Sequence, residues 1–140
     1  MATTYQELKD LAQLRLLEAE TLFAADLYDG CAYLAGYVVE LALKARICKL
    51  LDIVDYPDSG KLAKVYAVHD LDQLLLLAGL RKVLDPTNKI LFDNWSTAVP
   101  WRPERRYEAA GQVTRQDAED ILNAIRDGSH GVLTWIKTHW

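Results

Sequence analysis

Three arginines fall within five positions, Arg102, Arg105 and Arg106, and the segment WRPERRY brackets them with Trp101 and Tyr107. A guanidinium group is planar and offers its N–H donors as a fork, which matches phosphate oxygens two at a time. An aromatic face beside it can stack on a base or on the guanidinium itself. The segment therefore reads as an anion-binding loop; the bland reading is a solvated loop anchored by its aromatics, with Glu104 and Glu108 partly neutralising it. A second set, Tyr33, Tyr37, Glu40 and Lys44, recurs at steps of four and three, so these side chains share one face of a helix. Glu40 stands on the N-terminal side of Lys44, the favourable orientation for a helical ion pair. Such a stripe suits a base and a phosphate, and equally a dimer seam with polar ends. The candidate nucleotide-binding residues are Tyr37, Lys44, Arg102, Arg105, Arg106 and Tyr107.

The histidines are few. His130 follows Arg126 with three residues between them, a spacing that lets the two project from adjacent turns of one helix. Histidine as acid or base beside a phosphate-holding arginine can cleave RNA without a metal. This pair, Arg126 and His130, is the alternative catalytic set. His69 reads as a packing or capping accessory ahead of a helix, and His139 lies at a frayed end. No glycine-rich phosphate loop, GxSxG elbow, HExxH or acidic metal cluster is present, and no cofactor or metal is expected.

The elements that must position these residues are helical. Thr4 and Glu7 match a capping box, and Leu8, Leu11 and Leu22 continue at helical spacing to about residue 26. A short link makes the next helix an antiparallel neighbour. That helix, residues 30–53 with Asp29 as its N-cap, is the most apolar stretch; Leu34, Val38, Leu41, Ala45 and Cys48 form its core face. Gly36, costly inside a helix, marks a close crossing by another helix. After DYPDSG and a loop to about residue 68, a third helix runs from an Asp70 cap to Leu84, and a fourth from Pro86 to Ala98. Residues 99–113 are the longest loop. Thr114 caps a last helix whose Ile121, Ile125, Val132 and Trp135 line one side, with Gly128 and Gly131 leaving its continuity open.

Composition bounds the function class. The 140 residues suit one domain, and 51% hydrophobic with 26% charged residues is ordinary for a globular chain. A formal charge of −4 means that any polyanion site is a local patch. Cys31 and Cys48 fall on one predicted helix about 25 Å apart and cannot pair. With no signal-peptide pattern and no long uncharged apolar run, the default expectation is a cytoplasmic protein with no membrane segment.

Taken together, YDGCAYLAGYVVELALKAR, VHDLDQLLLLAGL and WRPERRY ahead of a final helix resemble the HEPN domain family (higher eukaryotes and prokaryotes nucleotide-binding), over most of the chain and in order. The resemblance implies an all-α, up-and-down bundle of four to five helices that dimerises, often beside a small nucleotidyltransferase or within a toxin–antitoxin system. It places a binding role on Lys44, Arg105, Arg106 and Tyr107. Its ribonuclease branch carries an arginine, four to six residues and a histidine, from which Arg126 and His130 depart by their shorter spacing. The leading expectation is a single-domain, non-catalytic module that binds a nucleotide, an RNA phosphate or a partner protein, most simply as a homodimer. The alternatives are a metal-independent ribonuclease toxin using Arg126 and His130, and a purely structural dimerisation subunit.

Overall fold

A computed structural model describes residues 3–140. It is an all-α bundle wound around one central helix. Helix α1 (Tyr5–Ala24) starts at the predicted capping box, with both halves formed: the Glu7 amide donates to Thr4 Oγ1 (3.1 Å) and the Thr4 amide to Glu7 Oε2 (3.3 Å). Its buried positions include Ala12 and Ala19, small enough to let α1 lie close along its neighbour. Asp26 turns the chain with a φ of 62°, and α2 (Tyr28–Leu51) returns antiparallel.

Helix α2 buries twelve of its 24 residues, so it is enclosed on several sides rather than along one stripe. Of the predicted core face, Val38, Ala45 and Cys48 are fully buried while Leu34 and Leu41 are only partly so. The cap differs from expectation. Leu27 is the N-cap, and Asp29 sits inside the first turn, where its carboxylate accepts from the amides of Gly111 (2.6 Å) and Val113 (3.0 Å) instead. Those partners are 82 and 84 residues away, and two amide donors from a loop outcompete the helix's own first turn.

Beyond α2 the chain pairs briefly with its own start, the Tyr5 amide donating to the Val54 carbonyl and the Tyr56 amide to that of Thr3. Residues 60–66, expected as loop, form a 3-10 turn (Gly60–Leu62) and the one-turn helix α3 (Ala63–Tyr66). Helix α4 (Leu71–Leu77) has the Asp70 cap expected of it but stops seven residues short of Leu84, because Gly79 takes a φ of 69°. Helix α5 (Lys89–Ala98) is capped by Asn88 and not by Asp85, whose carboxylate folds onto Thr87.

The expected last helix is two. Helix α6 (Arg115–Arg126) begins at the Thr114–Asp117 capping box and ends before Asp127, whose carboxylate takes the amides of Ser129 (3.2 Å) and His130 (2.7 Å). Helix α7 (Val132–Lys137) restarts after Gly131, where an added Cβ would stand 2.5 Å from the Asp127 carbonyl oxygen. Gly131 is therefore what lets the chain turn so tightly. The final residues are tied down rather than frayed: Arg46 donates to the carbonyls of Ala78 and His139, and the Trp140 indole to that of Ala42.

Both cysteines are free and buried, with burial pushing each thiol up to about 11. The close approach anticipated at Gly36 is real, but its occupant is the Trp101 indole and not a helix. A Cβ on residue 36 would fall 2.1 Å from that ring. Gly36→Ala is expected to lower stability by about 1–3 kcal/mol, whereas Gly128→Ala, with open space around it, should leave the urea midpoint nearly unchanged.

Candidate functional site

The site forms where residues 99–113 cross α2. Trp101 is 1% exposed, and its indole N–H donates to the Tyr33 carbonyl at 3.0 Å. Its ring meets Tyr37 edge-on at 4.8 Å between centroids, and Tyr37 meets Tyr33 in the same manner at 5.2 Å. Trp101 thus cannot offer a stacking face to a ligand, as its position beside the arginines suggested. Its work is to fix the backbone that follows.

That backbone is a short 3-10 turn, Pro103–Tyr107, in which the Arg105 amide donates to the Arg102 carbonyl and the Glu108 amide to that of Arg105. The three arginines go to different places. Arg102 is held: Nη2 lies 3.1 Å from Asp70 at the start of α4, and Nη1 donates to the carbonyls of Val99 and Trp101. Arg105 points into a cleft of about 440 Å³ lined also by Glu108, Asp117, Asp120 and Ile121. Arg106 lies in the open, 4.8 Å from the ring centroid of Tyr107, a residue that is 76% exposed. Among the described residues neither Arg105 nor Arg106 forms an ion pair, in contrast to Arg102.

Along α2 the stripe is deeper than an ordinary ion-pair face. Glu40, 3% exposed, is a buried charge; its Oε2 lies 3.3 Å from Lys44 Nζ and its Oε1 2.9 Å from Nδ1 of His69. Lys44 also packs over the Tyr56 ring at 5.1 Å. Taking a carboxylate out of water costs several kcal/mol unless it is paired and hydrogen-bonded, and here both oxygens are used. His69 was not recognisable as a member of this set, because its partner is 29 residues away and no spacing rule connects a loop residue to a buried helical one.

Electrostatics follow the geometry. Hydrogen bonding to Tyr37, assisted by Arg106, holds the Tyr33 phenol below its ordinary range. Burial, with Tyr33 as its neighbour, pushes Tyr37 up to about 12. The phenols of Tyr33 and Tyr107 raise Arg106, so its charge is fixed. At the far end of the loop, the Gly111 and Val113 amides lower Asp29. Its folded value is the depressed one, so this tether contributes fully above the unfolded carboxylate range near pH 4 and is lost as pH falls through the lowered value.

The helix expected to carry the alternative pair, Arg126 and His130, ends between its two members. Arg126, on the last turn of α6, donates to Glu20 on α1 (2.8 Å) and to Asn123, while His130 belongs to the turn after the helix end. The two do not project from adjacent turns because the helix stops between them. His130 instead borders a second cleft, of about 600 Å³, with Asn94 and Asp127. Among the described residues no His, Cys, Asp or Glu cluster could hold a metal, and no helix is long and apolar enough to cross a membrane.

Chemically, then, the crossing presents two guanidinium groups outside any ion pair, Arg105 in a cleft shared with Glu108, Asp117 and Asp120 and Arg106 beside the phenols of Tyr33 and Tyr107, next to a histidine held by a buried carboxylate. A family model described as HEPN domain matches residues 5–132, which is most of the chain, and the chain belongs to that family. No curated protein and no solved structure gives a match. Membership points to a nucleotide-binding or ribonuclease-type module. Glu40→Ala, which strands Lys44 and His69, is expected to destabilise the fold by about 3 kcal/mol. In denaturant melts the double variant with Lys44→Met should lose less than the two single changes added.

Proposed function

Proceeding from HEPN membership, we propose that this chain is a nucleotide-binding module whose phosphate site is the 3-10 turn carrying Arg105 and Arg106, with Tyr107 as the face that receives the base. The observation that supports it is the contrast among the three arginines. Arg102 is consumed by Asp70 and two carbonyls, whereas among the described residues Arg105 and Arg106 form no ion pair, on a turn fixed by Trp101. Guanidinium donors held in place before the ligand arrives lose little freedom on binding. Tyr37, Lys44 and Arg102, already engaged within the fold, position this turn rather than touch the ligand.

In this reading the module is non-catalytic and cytoplasmic. It works as a homodimer or beside a partner such as a small nucleotidyltransferase, in a toxin–antitoxin setting. Exposed leucines on α1, Leu14 and Leu17, supply apolar surface for such association.

Calorimetric titration with nucleotides tests the site. Saturable binding is expected in the parent chain, and Arg105→Ala with Arg106→Ala should weaken it by at least about tenfold, since a hydrogen bond to a charged group contributes about 1.5–3 kcal/mol. Affinity unchanged in the double variant would place the ligand elsewhere.

A further inference from the structure

The non-helical stretch between α4 and α5 opens a cleft that none of the arginines at 102, 105 and 106 lines. Gly79 ends α4 at a positive φ, and the amides of Val83 and Leu84 both donate to the Leu80 carbonyl, so the chain curls into a compact turn. That turn buries Leu84 and leaves Arg81 and Lys82 exposed. The cleft beside it measures about 530 Å³, a size typical of small-molecule sites. Leu75, Leu84 and Trp95, all buried, form its floor, while Phe92 and Pro86 stand exposed at its mouth with the two cations.

Three donors border this apolar space with capacity to spare. Trp95 is 4% exposed, yet among the described residues its indole N–H has no acceptor, whereas those of Trp101 and Trp140 donate to carbonyls. No sealed side-chain polar atom lacks a partner among the described residues, so this N–H is not enclosed; it opens on the cleft that its ring lines. Arg81 stands 3.6 Å from Asp72, longer than a charge-assisted hydrogen bond of about 2.7–2.9 Å. Lys82 forms no ion pair among the described residues, and Asp85, next along the turn, is spent on the amide and hydroxyl of Thr87. Two cations thus share one carboxylate, and the lining carries net positive charge.

We propose that this cleft binds a small aromatic carboxylate that also carries an oxygen acceptor on its ring. The carboxylate meets Arg81 and Lys82, the ring lies against Phe92 and the aliphatic floor, and the ring oxygen accepts from the Trp95 N–H. Each part answers a feature of the lining. The net charge selects an anion, and aromatic walls favour a flat body that can meet them edge-on or offset. An indole N–H only donates, so a wholly apolar occupant would cover it and leave it unsatisfied, at the cost of its desolvation. The inference is independent of the nucleotide reading, since the two sites share no residue.

The test is calorimetric titration at neutral pH with three probes: a hydroxynaphthoate whose carboxylate and hydroxyl sit on opposite rings, its carboxamide, and the naphthoate without the hydroxyl. The hydroxynaphthoate is expected to saturate the parent chain, with the carboxamide at least about tenfold weaker and the plain naphthoate roughly fivefold weaker. Arg81→Met with Lys82→Met, both at exposed positions, should erase the preference for acid over amide. Trp95→Phe should erase the preference for the hydroxyl and keep that for the acid. Arg105→Ala with Arg106→Ala should change none of the three affinities. Should Trp95→Phe fail to fold, the parent chain still decides: plain naphthoate binding as tightly as the hydroxynaphthoate overturns the Trp95 contact. Equal affinity for acid and amide, or no saturable binding by any probe, overturns the site. Loss of acid binding in the Arg105 and Arg106 variant would assign the anion to the arginine turn and overturn it equally.

Discussion

An indole ring seated on a glycine holds this molecule's exposed chemistry in place. Gly36 removes a side chain from the middle of α2, Trp101 fills the space, and the indole N–H reaches the Tyr33 carbonyl one turn earlier. A buried Trp needs a partner for its N–H, and a mid-helix carbonyl can accept a second bond through its other lone pair. One contact therefore satisfies packing and polarity together. It also pins the least regular segment of the chain to the most regular one, so that a loop rich in proline and arginine leaves the core at a defined point. Asp29 repeats the device at the other end of the segment, with a carboxylate at the start of α2 collecting two loop amides.

Beneath that crossing lies the second constraint, a buried carboxylate. An apolar side chain at position 40 would remove the desolvation penalty altogether. Glu40 instead gathers Lys44 from its own helix and His69 from the start of α4, and Asp70 next door gathers Arg102 from the loop. Three segments distant in sequence are thereby linked by charge-assisted bonds on the face that carries Tyr33 and Tyr37. The result is a polar seam between α2, α4 and the arginine segment, in a core otherwise built of aliphatic, aromatic and cysteine side chains.

How legible this was depends on range. The capping boxes at Thr4 and Thr114, the Asp70 cap, the helical hairpin and the all-α class follow from local rules, and the structure contains them. The errors are long-range. Asp29 has the right type for an N-cap, but its donors come from residues 111 and 113; the leucines after Gly79 continue the pattern of α4 without continuing its backbone. Gly36 signalled a close approach without saying what approaches. The Arg126–His130 spacing presumed a helix that Asp127 and Gly131 end. His69 was invisible as a site residue for the same reason, since a loop histidine gains meaning only from the buried helical carboxylate it meets.

The arginine turn is ordered by its own backbone hydrogen bonds before any ligand arrives. Amide hydrogen exchange over residues 100–108, with and without saturating nucleotide, tests this most directly. Protection of the Trp101, Arg105 and Glu108 amides already in the free protein, little changed by ligand, is the predicted result, because each donates to a loop or helix carbonyl in the structure. Exchange at unfolded-chain rates in the free protein, with protection appearing only on binding, would contradict the account.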